Sequence, residues 1–304
     1  MSENSWRKLV DQESIDRYHY VATKGREIFG ESAIVNPLLP LTSADLVLVS
    51  QFHREVSPKN PQAPFKLTNV MERGQDPSSF GNWELPGGPL EHMELAAQAA
   101  LIIVSELKDH LMPVDSVSDQ WAREAIEVIK ELNPYHVAVA AGLHDEGRQI
   151  TQMFYTNDRY GGMLLRKIGV RPDIIAVIPD EEVMQVPLGK DMDEYMQAMN
   201  PESVLVRIAD EFGKRKGGTD TLLQPEDINP EAQRVWGDRY VKRPFSRRPT
   251  DRWWRGHIEL HNDNAVRYVQ GLDQYVRGIS TLTLKDLTTK INTQLAPTLP
   301  QLQK

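Results

Sequence analysis

Cysteine is absent from all 304 residues. That excludes disulfide bridges, thiolate nucleophiles and cysteine-ligated zinc or iron–sulfur centres. Long apolar runs are missing as well: no stretch reaches the roughly 20 residues needed to span a bilayer. The opening segment MSENSWRKLVDQES is polar and lacks the apolar core of a secretory signal. A cytoplasmic protein with no membrane partner is the expectation. Nor is there an excess of positive charge. The formal net charge is −8, which disfavours broad nucleic-acid binding. What the chain does have is 40% hydrophobic residues, sufficient for one large domain or two small ones.

The most informative stretch runs from Trp83 to Asp109. WELPGG reads as a short strand entering a tight turn. Pro86 fixes φ there, while Gly87 and Gly88 permit a close backbone approach to a ligand. From Met93 to Leu107 the pattern becomes an alanine-rich, aliphatic helix. A strand, a glycine-rich loop and a helix together can hold phosphate oxygens on backbone N–H groups and metals on helix carboxylates.

Upstream, ADLVLVSQFHR (44–54) reads as an apolar strand, and FKLTNVMERG (65–74) as another. Downstream, Asp119–Leu132 has helical periodicity, and Asn133-Pro134 stops it. HVAVAAGL (136–143) reads as a strand, Asp145-Glu146-Gly147 as a hairpin turn, and QITQMFY (149–155) as the return strand. IIAVI (174–178) is a further buried strand, with Glu182–Val186 as another candidate. Asn200-Pro201-Glu202 is a strong helix start, with Asn as N-cap and Pro in the first turn. Gly217-Gly218 is expected to end that helix. Asp263–Arg277 is amphipathic and helical.

The stretch resembles the Nudix box. Gly88, the acidic Glu91, Glu94, Ala99-Ala100 and Val104 fall in register with it. The box's Arg-Glu pair is replaced by Ile102-Ile103, its Glu-Glu pair by Glu106-Leu107, and its closing Gly by Asp109. The run Gln51-Phe52-His53-Arg54 is loosely similar to the Gln-aromatic-Arg run of ADP-ribose pyrophosphatases in that superfamily. The resemblance implies an α+β fold: a Nudix-like mixed-sheet α/β/α sandwich over 36–217, covered by segment 1–35 and followed by a mainly helical extension over 218–304. It implies Glu106 and Glu94 as catalytic carboxylates, with Glu106 holding Mg²⁺ or Mn²⁺. Gln51, Arg54, Glu84, Gly87, Gly88 and Glu91 would surround a small phosphorylated or nucleotide-like ligand. Positions 103, 106 and 107 share one helix face, so loss of two of three carboxylates leaves a poor site for a hard cation. Weak hydrolysis, or an isomerase reaction, is the expectation. The alternative is a catalytically inactive module that senses a ligand or joins an assembly.

Three other constellations stand out. Arg234–Arg255 interleaves eight basic residues with Trp236, Tyr240, Phe245, Trp253 and Trp254. Docking onto an acidic core explains this better than a phosphate ligand or nucleic acid does. His257, Glu259 and His261 share one face if 257–261 is a strand, but a solvated face outweighs a zinc site. Glu181-Glu182 lies where a replacement carboxylate would be useful.

Overall fold

The structure is a computed structural model; it describes residues 12–57, 89–149, 157–178, 192–216, 219–228 and 266–300. Among these residues there is no β-strand. Two isolated bridges, Leu111 with Ser280 and Arg215 with Leu222, are the only sheet-like pairings among the described residues. The mixed-sheet sandwich is therefore overturned in favour of a helical assembly. Its helices are α1 (Gln12–Phe29), α2 (Ser43–Val56), α3 (Pro89–His110), α4 (Gln120–Glu131), α5 (Pro134–Leu143), α6 (Asn157–Ile168), α7 (Pro172–Val177), α8 (Met192–Gln197), α9 (Pro201–Phe212), α10 (266–279) and α11 (Leu284–Leu295).

At the centre lies α5, PYHVAVAAGL. Val137 to Leu143 are all buried. A helix that is apolar on every side must be enclosed by others, and α2, α3, α7 and α9 pack around it. The expected strand over 136–143 is this helix. A short apolar run has no side-chain period to tell a buried strand from a buried helix. The deciding feature is local: Asn133 caps the N-terminus by accepting a hydrogen bond from the Tyr135 N–H at 3.0 Å, and Pro134 occupies the first turn. The Asn133 side chain also donates to the Leu41 carbonyl at 2.9 Å, tying the cap to the entrance of α2.

The expected strand at 44–54 is also a helix, α2. The Thr42 N–H and hydroxyl both donate to Asp45, at 2.8 and 3.1 Å, and so start it. Its buried positions Asp45, Val49, Phe52, His53 and Val56 recur at helical spacing. The expected strand at 174–178 falls mainly in α7, with Pro172 in its first turn. The helical readings fared better. The segment over 93–107 lies inside α3, and 119–132 matches α4 with Asp119 as N-cap. Asn200 caps α9 by accepting from the Glu202 N–H at 2.9 Å. The helix read over 263–277 is α10 over its described part. The proposed strands at 65–74 and 182–186, WELPGG, and most of QITQMFY lie outside the described residues, as do Gly217-Gly218, Glu181-Glu182, Arg234–Arg255 and His257–His261.

The residues beyond α9 pack on the same body. α11 lies along α3, and the Leu222 N–H donates to Asn292 at 3.0 Å. The Met112 N–H donates to the Ile279 carbonyl at 3.0 Å, so the end of α3 is joined to the end of α10. Trp121 of α4 lies over Tyr275 with ring centroids 5.2 Å apart. No helix among the described residues is long and apolar enough to cross a membrane.

Ile103 and Leu107 are both fully buried in the core. The helix face that would carry a Nudix-type metal set has become packing surface, worth about 1.5–3 kcal/mol per side chain. A chain carrying Ile103→Glu and Leu107→Glu together is expected to lose its cooperative thermal transition, or to melt at least about 15 °C lower, because each buried carboxylate costs several kcal/mol. Added Mn²⁺ is expected to give no recovery. Differential scanning calorimetry checks both; a variant that folds and is stabilised by Mn²⁺ would contradict this placement.

Candidate metal centre

Three helix ends meet on one side of α5. The chain leaves its C-terminus through His144 and Asp145 and enters a single 3-10 turn, Glu146–Gln149. His92 comes from the first turns of α3, and Asp210 from the last turn of α9. The C-terminal ends of α5 and α9 carry partial negative charge. Together with two carboxylates they make a place suited to a cation.

The two imidazoles converge. His92 Nε2 lies 3.0 Å from Asp210 Oδ1 and 3.7 Å from Asp145 Oδ2. His144 Nε2 lies 3.1 Å from Asp210 Oδ1 and 3.5 Å from Asp145 Oδ2. The rings meet edge to face with centroids 5.1 Å apart. One ligating atom each from His92, His144 and Asp145 falls within a common 4.8 Å. The opposite ring nitrogens are tied down: His144 Nδ1 donates to the Ala141 carbonyl at 2.6 Å, and His92 Nδ1 to the Gly213 carbonyl at 3.4 Å. Such outer hydrogen bonds orient a ligating histidine and leave Nε2 to the metal. Asp145 is buried, while the Asp210 side chain is one-third exposed and marks the open side.

The support behind these residues is ionic and close-packed. Glu91, next to His92, takes a two-pronged contact from buried Arg215, at 2.7 and 2.8 Å. Arg215 also donates to Asp220 at 2.9 Å and to the Pro300 carbonyl at 2.6 Å. A planar guanidinium fits this arrangement as a fork. It locks the start of α3 to the segment that follows α9. Gly213 closes the same junction. A Cβ there would lie 2.7 Å from Ala96 Cα and 2.5 Å from the Ala209 carbonyl oxygen. Glycine is needed for the close approach of two backbones, its φ being −84°.

The residues expected from the sequence lie elsewhere. Glu94 accepts a short hydrogen bond from Ser50 and a longer one, at 3.3 Å, from Arg54. Both contacts join α2 to α3, and Arg54 is exposed. Gln51 is exposed on α2. Glu106 sits 3.7 Å from Lys290 of α11, with Ile103 and Leu107 buried beside it. Glu91 is the partner of Arg215. The structure does not bring Glu106, Glu94 and Glu91 together, and Glu84, Gly87 and Gly88 lie outside the described residues. His92, His144, Asp145 and Asp210 were not among the expected site residues. Their one signal in the sequence is a His-Asp pair at the end of an apolar run, and it reads equally well as a turn.

No known protein family, curated protein or solved structure matches this chain.

Burial alone disfavours the charged form of His144, but Asp145 and Asp210 outweigh it, and its pKa is pushed up to about 10. Burial likewise works against ionised Asp210, yet the His144 and His92 imidazoles hold it well below its usual 3.8. These are one attraction seen from two partners. The His144 contribution is full below its ordinary pKa of 6.5 and is lost as pH rises through about 10. That of Asp210 is full above 3.8 and is lost as pH falls. The metal-free chain is therefore expected to be most stable between those two ordinary values, in melting experiments at constant ionic strength. Melting temperatures that rise steadily towards pH 10 would contradict the pairing. Separately, Gly213→Ala is expected to cost about 1–3 kcal/mol through overpacking. Thermal unfolding of the variant beside the unsubstituted chain checks this.

Proposed function

We propose that this chain is a divalent-metal-dependent hydrolase of phosphate esters, with His92, His144, Asp145 and Asp210 as its metal ligands. The observation that carries the proposal is the shared orientation of the two histidines. Each Nδ1 is committed to a main-chain carbonyl, and each Nε2 is turned to the same two carboxylates.

Two imidazoles and two carboxylates suit Mn²⁺, Fe²⁺, Co²⁺ or Zn²⁺ better than Mg²⁺, which prefers an all-oxygen shell. A bound ion supplies a Lewis acid that polarises a phosphoryl oxygen and makes water nucleophilic near neutral pH. The protein's own part is to hold each Nδ1 on a main-chain carbonyl, so that an ion displacing the proton from Nε2 would meet both rings in one orientation. It holds Asp145 buried and leaves the Asp210 side open. The first turns of α3, which carry His92, reach the same place, and the N-terminal end of a helix favours an anion. A cation site bordered by helix C-termini on one side and a helix N-terminus on the other fits an anionic ester. The small phosphorylated or nucleotide-like ligand expected from the glycine-rich loop remains part of the proposal, on these different grounds.

The protein freed of metal and reloaded with Mn²⁺, Co²⁺ or Zn²⁺ is expected to bind about one ion per chain. It is also expected to gain melting temperature and to cleave bis(4-nitrophenyl) phosphate or a nucleoside phosphate only in the loaded state. His144→Ala and Asp145→Ala should abolish both binding and turnover, while Glu106→Gln should leave both unchanged. Metal binding that survives loss of both His92 and His144 would overturn the assignment.

A further inference from the structure

A second buried histidine–carboxylate pair adjoins the centre. His53, in the last turn of α2, lies with Nε2 2.6 Å from Oε1 of Glu146. Both side chains are essentially inaccessible, at 1% and 0% exposure. Glu146 follows Asp145 directly, in the turn that emerges from α5. The contact spans 93 positions of sequence, so it fixes the turn to a helix distant in the chain.

We infer that His53 is a positioning residue for the metal centre, acting through Glu146 to set the orientation of Asp145 and His144. The inference rests on the metal-centre reading above. His144, at the C-cap of α5, bonds back to the Ala141 carbonyl, and the turn beyond it is held by neighbouring helices. His92 and Asp210 meet it from α3 and α9. From α6, Gly161 comes so close that a Cβ there would be 3.1 Å from the Gly147 nitrogen. From α2, His53 holds Glu146. Val49, one turn earlier on α2, presses on Gly142, where a Cβ would be 3.1 Å away from its side chain. α2 thus grips the end of α5 at two successive levels, once by packing and once by a buried hydrogen bond. An isolated buried carboxylate would be costly. With His53 as its partner, Glu146 has one favoured position, and adjacent Asp145 shares that backbone constraint. Metal ligands commonly depend on such outer contacts for about 10–100-fold in affinity.

The opposite end of α5 supplies the control. There His136 Nδ1 lies 3.1 Å from Glu202 of α9. This pair also links α5 to a neighbouring helix, but at its far end from the ligands. Co²⁺ is the probe, because its visible ligand-field spectrum reports coordination directly. Four proteins are compared in the metal-free full chain titrated with Co²⁺: wild type, His53→Leu, His53→Gln and His136→Leu. His53→Leu removes the N–H and keeps the bulk; His53→Gln restores an N–H at similar reach. The expected result is a Co²⁺ affinity about 10–100-fold weaker for His53→Leu with an altered spectrum. His53→Gln should recover most of the loss, and His136→Leu should match wild type even if it melts lower. Glu146→Gln, which leaves an acceptor for His53, is read alongside in case His53→Leu does not fold; its spectrum should stay close to wild type while Glu146→Ala shifts it. Equal Co²⁺ affinity and spectra in wild type, His53→Leu and Glu146→Ala would overturn the inference while leaving the metal centre standing. An equal loss in His136→Leu would overturn it too, by showing a general effect of stability. Failure of the wild type to bind Co²⁺ would remove the metal centre and this inference together.

Discussion

Burial of α5 is the constraint on which the site depends. Ten residues with almost no polar side chain have to be enclosed, and the helices that enclose them bring the candidate ligands. α3 contributes His92, α9 contributes Asp210, and α2 contributes His53 behind the centre. The turn leaving α5 then places His144, Asp145 and Glu146 where these three meet. Polar groups occur only at the ends of the central helix, which is where an apolar interior can tolerate them. At one end lie His136 and Glu202 beside the caps of α5 and α9. At the other end the two imidazoles and two carboxylates face one another.

Small residues make that enclosure tight enough to matter. The first half of α3 is rich in alanine, and Ala96, Ala97, Ala99 and Ala100 are buried. Gly213 and Gly142 sit where a single methyl group would press on Ala96 and Val49. Interiors pack like crystals, so backbones this close hold side-chain positions to a fraction of an ångström. A centre assembled from three separate helices requires that accuracy. The Glu91–Arg215 fork adds a polar clamp at the same junction, on the flank of His92.

Local signals for helix ends were legible in advance. Asn200-Pro201-Glu202 starts α9, Asn133-Pro134 divides α4 from α5, and Asp119 precedes α4, all as their chemistry requires. The strands read at 44–54, 136–143 and 174–178 were misread for one shared reason. Each contains an aliphatic run too short to tell strand from helix, and at 136–143 burial on all sides erases the period altogether. The box-like stretch misled differently. Its glycines and acidic residues kept a familiar register, but Ile103 and Leu107 point into the core and Glu91 and Glu94 serve as ties between helices.

Composition and local pattern by themselves determined the absence of thiol chemistry, the positions of several helix caps and the apolar character of the segment that became the centre. They did not determine the site. His92, His144 and Asp210 lie far apart along the chain, and nothing local distinguishes any of them from a solvated or core histidine or aspartate. The candidate site is a property of convergence: two Nε2 atoms and two carboxylates acquire a common focus only once α3 and α9 close on the end of α5. Packing of backbones at Ala96 and Gly213 sets that focus, and only the tertiary structure contains it.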